Sequence, residues 1–200
     1  MDVLEAIRAR RSVRAFRPEP VDHAHLEQLI AAAGWAPSPH GRQPWRFAII
    51  TRLALKADLA SAMGAEWRAQ LAHDGQDAAS IERRWQRSHE RITSAPALIV
   101  PCLYLADLDV YPDPARHANE TAMAVQSLGC AIQNMLLAAH ALGLASGWMC
   151  APLFSPAAVR AALNLAPDLH PQALILIGYV AQEPVPRPRL PPEDLVVAWD

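Results

Sequence analysis

No glycine-rich phosphate loop of the G-x-G-x-x-G or G-x-x-x-x-G-K-[ST] kind occurs in the 200 residues. Phosphate binding by such a loop at a helix N-terminus is therefore not indicated. Cysteine is scarce and odd in number: Cys102, Cys130 and Cys150, with no C-x-x-C spacing. That excludes a disulfide framework and implies reduced thiols in a cytoplasmic setting. No uncharged apolar run reaches the roughly 18 residues a bilayer span requires. The net charge is −2, too small for a global field that would draw nucleic acid or an anionic membrane. Residues 106–117 carry Asp107, Asp109 and Asp113 but lack the central Gly and closing Glu of a calcium loop. His23 and His25 fall on different faces of a predicted helix, so no metal site is expected. No internal repeat is evident.

What is present suits one α+β domain over residues 1–200. Hydrophobic residues make up 52%, much of it Ala and Leu, and the chain is long enough to bury a real core. The opening Met-Asp-Val-Leu-Glu-Ala-Ile-Arg reads as an amphipathic helix and not a signal peptide. Asp2 caps it, Val3, Ile7 and Leu4 form its stripe, and it ends near Arg10. Asp22 caps a second helix, 23–33, with Leu26, Leu29, Ile30 and Ala33 inward. A strand is expected over 46–51 and a helix over 53–63, closed by Gly64. Residues 65–93 read as a helical, charged cover segment broken near Gly75, with Arg83, Arg84 and Arg87 facing water. Residues 97–105 form a near-continuous apolar strand, buried on both faces, with a bulge or edge at Pro101. The longest helix spans 119–142. It is apolar nearly all round and needs cover on more than one face, which a second subunit would supply. Residues 144–150 are extended, Ser155-Pro156 opens another helix, and 174–180 is a second buried strand. Residues 184–200 form a polyproline-like C-terminal arm.

Two stretches stand apart. Ala36 to Phe47 reads Ala-Pro-Ser-Pro-His-Gly-Arg-Gln-Pro-Trp-Arg-Phe. Its prolines forbid a regular helix and make a stiff, shaped loop between a helix and a strand, a favourable place for a site. Arg10-Arg11-Ser12-Val13-Arg14-Ala15-Phe16 crowds cations and a hydroxyl at a helix exit. Arginines alone read equally well as a solvated turn. With the serine they suit a phosphate monoester.

Together these motifs resemble the nitroreductase superfamily of FMN-dependent oxidoreductases, with its R-x-S-x-R-x-F-like and P-S-x-x-x-x-Q-P-W-x-F-like motifs. The resemblance covers Arg10 to Arg189. It implies the nitroreductase-like fold: a central, mostly antiparallel sheet flanked by helices, a long central dimer helix, and a homodimer with FMN at the interface. Arg10, Arg11 and Ser12 would hold the FMN phosphate, and Arg14 would reach the pyrimidine edge of the ring. Arg187 and Arg189 would join the phosphate from the C-terminus. Pro37, Ser38 and Pro39 would come from the other subunit to lie beside the ring. Met149, Cys150 and Ala151 would pass along it near N5. Ser127 aligns with a polar position near the cofactor in some relatives but reads first as a core serine.

The resemblance implies hydride transfer from NADH or NADPH through flavin N5 to a small electron-poor acceptor such as a nitroaromatic, quinone or enone. It implies no protein nucleophile or dedicated acid or base. One alternative is the branch associated with deazaflavin-coenzyme biosynthesis, which reduces a dehydro precursor. His40 would then mark the substrate site, although a loop-packing histidine is an equal reading. The other alternative is a flavin-binding protein without turnover.

Overall fold

The computed structural model describes residues Asp2–Trp199; the last residue of the expected arm lies outside them. Seven α-helices are described, α1 (Val3–Ala9), α2 (His23–Gly34), α3 (Leu53–His73), α4 (Ala78–Ser94), α5 (Pro114–Ala141), α6 (Ala151–Phe154) and α7 (Pro156–Leu163). The strands are β1 (Trp45–Ile50), β2 (Ala97–Tyr104), β3 (Ala145–Met149), β4 (Leu169–Pro171) and β5 (Leu174–Gly178). They form one sheet in the order β1-β2-β5-β3, with β4 paired to β2, and every one of these pairings is antiparallel.

Helix starts follow the capping chemistry in the sequence. Asp2 and Glu5 form a reciprocal capping box on α1. Asp22, Asp77 and Asp113 accept from first-turn N–H groups of α2, α4 and α5. Asp113 with Pro114 at the first helical position starts α5 one turn earlier than expected, which shortens the preceding surface loop. Ser155 stands at the N-cap of α7, but its hydroxyl donates back to the Ala151 carbonyl at 3.3 Å and does not cap.

The sheet carries two cores. Along β5, Ile175 and Ile177 face α2 and α5, with Leu29, Ala33, Ile132 and Met135. Leu174 and Leu176 face the other way, toward Leu59, Met63, Val100 and Val159. The period of two follows from the pleat. Helix α5 is long and apolar enough to cross a bilayer by length and composition; here it packs against α2 and the sheet. Ser127 is buried in it, its hydroxyl bonded to the Met123 carbonyl at 2.8 Å, as a core serine should be.

Two expectations need correction. Gly64 does not end α3, which continues to His73. A Cβ at Gly64 would stand 2.3 Å from Trp85 Nε1, so this glycine is where α4 lies closest on α3. The break near Gly75 is real, with its φ at +76°. Pro101 makes neither bulge nor outer edge. It sits within β2, opposite Phe47 of β1, where the other edge of β2 changes partner from β5 to β4. A missing N–H costs nothing there, and the Pro101 carbonyl accepts from Gln172 at 2.9 Å. Short β4 and α6 had no signal in the sequence pattern.

Candidate functional site

The two ends of the chain meet at the free edge of β3. After α1, Arg11 folds back and its Nη1 donates to the carbonyls of Arg8, Ala9 and Arg10 at 2.5, 3.0 and 3.0 Å. This satisfies the open C-terminal end of α1. Ser12 then bridges Ser146 of β3, and the Val13 N–H donates to the Ser146 carbonyl at 2.8 Å. Gly147 permits that approach, because a Cβ there would lie 2.3 Å from the Val13 carbonyl oxygen. Further on, Arg17 N–H donates to Tyr179 O at 2.8 Å and Ala181 N–H to Ala15 O at 3.1 Å. The exit of β5 is thereby tied to the N-terminal segment, and the C-terminal arm starts beside it.

The result is a cleft of about 580 Å³. Arg10, Arg11, Ser12 and Arg14 line one wall, and the arm from Pro184 to Arg189 lines the other. Arg187 and Arg189 thus line the same cleft as the N-terminal arginines. Among the described residues none of these five arginines has a carboxylate within ion-pair distance; the ion pairs present use other arginines. Burial, then Arg189, then Arg11 hold the Arg10 guanidinium below its ordinary pKa. Arg10 Nε is also buried without a hydrogen-bond partner. Buried donors are normally satisfied, and an anion with several oxygens in this cleft would supply the partner. A phosphate monoester fits it, because arginine forks match phosphate oxygens two at a time.

The other expected site residues lie elsewhere on the protomer. Pro39–Gly41 forms a 3₁₀ turn in which His40 has φ +55°; Gln43 follows at +50°. Both are left-handed conformations that a non-glycine residue holds only when its surroundings fix it. Ser38 helps to fix them, its Oγ accepting from Gln43 N–H at 3.0 Å. Arg42, hydrogen-bonded to the Asp107 carbonyl and the Asp109 carboxylate, anchors the loop from the other side. Pro37 and His40 are exposed, Ser38 and Pro39 partly so. The loop packs near Glu120 and Met123 of α5 and contributes nothing to the arginine cleft.

Cys150 and Ala151 line a third place, an apolar cleft of about 400 Å³ between α3 and α6. Trp67, Leu71 and Phe154 complete its walls, and it shares no residue with the arginine cleft. Met149 is half-buried against the core on the α3 side. Trp67 and Phe154 carried no motif signal, because they converge from elements far apart in sequence.

The sequence profile of the Nitroreductase family matches residues 7–179. The chain belongs to the nitroreductase family. It is accordingly a nitroreductase-family enzyme with the expected fold. It is 34% identical to the 5,6-dimethylbenzimidazole synthase of Rhodobacter capsulatus over 180 residues, 87% of this chain and 81% of that protein. A BluB-like flavoprotein from Clostridium difficile superposes with a TM-score of 0.83 at 22% identity, covering the whole of both chains. A structure described as a nitroreductase in complex with FMN, from Desulfovibrio desulfuricans, gives 0.75 at 28% identity. It covers 100% of this chain and 98% of that one.

Proposed function

We propose that this nitroreductase-family enzyme is a homodimeric, FMN-dependent oxidoreductase that moves hydride from NAD(P)H to a small electron-poor acceptor. The observation that carries this reading is the convergence on one cleft of five arginines from both chain ends, none of them ion-paired among the described residues. Arg10, Arg11, Ser12, Arg187 and Arg189 would hold the FMN phosphate. Arg14 would supply positive charge toward the ring, favouring the anionic reduced state. When bound, FMN supplies the hydride chemistry. This chain's residues bind and orient it and shield the reacting face from water.

The separation of the two groups of residues on one protomer supports a second subunit that completes the site. The Pro37–Pro39 loop is remote from the arginines of its own protomer, so it would reach the ring of a partner's cofactor. The surface supports such a pairing. Val3, Leu4 and Ile7 of α1 are 65%, 56% and 50% exposed, and Val125 of α5 is 45% exposed. These apolar stripes have no cover within the protomer. His40, exposed on the same strained turn, would then stand at the acceptor side.

The relative in Rhodobacter capsulatus favours a second reading, formation of 5,6-dimethylbenzimidazole. One experiment separates the readings. Purified protein loaded with FMN is mixed with NAD(P)H without oxygen, and then with acceptor or with oxygen. Bleaching followed by full recovery of the flavin spectrum on adding a nitroaromatic or quinone supports the reductase. Formation of 5,6-dimethylbenzimidazole supports the second reading. Binding without bleaching would leave a non-catalytic flavoprotein and end the main proposal.

A further inference from the structure

Arg14 lines two clefts. One is the arginine cleft of the chain ends. The other, about 290 Å³ and open to solvent, is lined by Arg14, Ala15, Phe16, Arg87, Glu90, Arg91 and Ser94. Arg87 and Arg91 stand one turn apart on the same face of α4, which brings them to Arg14. Arg91 is half-buried. Burial first, then the charges of Arg14 and Arg87, hold its guanidinium below the ordinary value. Among the described residues none of the three has a carboxylate within ion-pair distance. Glu90 lines the same cleft, is exposed, and makes no such pair. The rest of α4 behaves differently. Arg83 bonds Ser80, and Arg84 bonds Gln76 and lies over Trp67. Three mutually repelling guanidiniums in one cleft are a cost to the folded chain that an oxyanion would relieve.

We propose that Arg14, Arg87 and Arg91 form a second phosphate subsite, which receives a phosphate group of the second substrate while the chain-end cleft holds that of the flavin. This rests on the flavin reading for the first cleft. The recognised chemistry is a phosphate monoester dianion held by guanidinium forks. It has two sources, the 2′-phosphate of NADPH or a phosphate borne by the electron acceptor. The subsite makes α4 a specificity element: a substrate that carries the extra phosphate is held by the cover segment, and one that lacks it is not.

The test compares the wild type with Arg87→Gln/Arg91→Gln and with the control Arg83→Gln/Arg84→Gln. The control removes the same charge from the same helix outside the cleft. Binding of adenosine 2′,5′-bisphosphate and of AMP is measured by calorimetry with FMN in excess, alongside the FMN dissociation constant and the KM for NADPH and NADH of the FMN-loaded enzyme. If the phosphate belongs to the donor, the cleft variant loses about 10- to 100-fold in bisphosphate affinity and in NADPH KM. NADH is then unaffected, FMN affinity stays within about twofold, and the control behaves as wild type. If it belongs to the acceptor, the cleft variant instead weakens inhibition by phenyl phosphate competing with the acceptor, and NADPH and NADH KM move together. Unchanged bisphosphate affinity together with unchanged phenyl phosphate inhibition overturns the proposal. So does an equal loss in the control, which would reduce the effect to general field, or a tenfold loss of FMN affinity, which would merge the cleft with the flavin site. Failure of the wild type to bind FMN would instead refute the flavin reading, with the bisphosphate titration still reporting on the α4 cleft.

Discussion

Replacing Arg10 by Met should move stability and cofactor affinity in opposite directions. In the free protein Arg10 is half-buried, its Nε has no partner, and Arg189 and Arg11 repel it. A buried donor left unsatisfied costs roughly 1–3 kcal/mol. Methionine keeps most of the apolar stem and removes the charge and the donor. The apoprotein should therefore gain about 1–2 kcal/mol, a rise of roughly 2–8 °C in Tm for a domain of this size. With the phosphate present the sign reverses. A hydrogen bond to a charged group is worth about 1.5–3 kcal/mol, so the dissociation constant for FMN should rise roughly 10- to 100-fold. Arg10→Lys, which keeps the charge but loses the fork, should fall between. The assay is thermal unfolding with and without FMN at fixed protein concentration, since assembly would make Tm concentration-dependent, together with fluorescence titration of FMN. A fall in apoprotein Tm, or an FMN affinity changed less than twofold, would show Arg10 to be a structural cation and refute the reasoning.

Gly147→Ala should be severe. The added Cβ meets a backbone oxygen at 2.3 Å, which cannot rotate away, so residues 12–13 must leave β3; urea unfolding and FMN titration should both report it. Gly64→Ala drives a methyl into the Trp85 indole and should cost about 1–3 kcal/mol by overpacking. Adding Trp85→Leu should recover much of that loss in chemical denaturation. Burial pushes the Cys102 thiol from about 9 up to about 11. The folded state thus keeps a proton that the unfolded state releases. Stability should be intact below pH 9 and fall as pH rises through 11, by on the order of 2–3 kcal/mol in all. Cys102→Ala should flatten that slope in denaturation midpoints measured from pH 8 to 11, whatever its effect at pH 8.

Much of this was legible in the chain because it depends on neighbours in sequence. Asp22 capping α2, Gly75 breaking the cover segment and the alternation through Leu174–Ile177 are local rules, and the structure follows them. The meeting of Arg10 with Arg189 is not local, and it was legible only through the motif resemblance. Gly64 shows why the rest was not. A glycine near the end of an apolar periodic run looks like a helix stop, and only the position of Trp85, on another helix, reveals it as a contact point. Arg87 was assigned to water on the same grounds, from the polarity of its own helix. Arg87 is exposed, as that polarity implies; what its own helix could not show is that Arg14, from a different part of the fold, lines the same cleft. The R-x-x-x-R spacing of Arg87 and Arg91 was the available signal. Trp67 and Phe154 gave none, since an aromatic residue on a helix looks the same whether it lines a cleft or fills a core.

The bridge between Ser12 and Ser146 has a bearing on handling the protein. β3 ends the sheet, and an uncovered rim of this kind invites pairing with strange strands. The segment that brings the arginines also lies along that rim and occupies part of it. Amino-terminal truncations or fusions that lift this segment should thus yield material that clumps as well as material that is colourless, and the two defects should appear together.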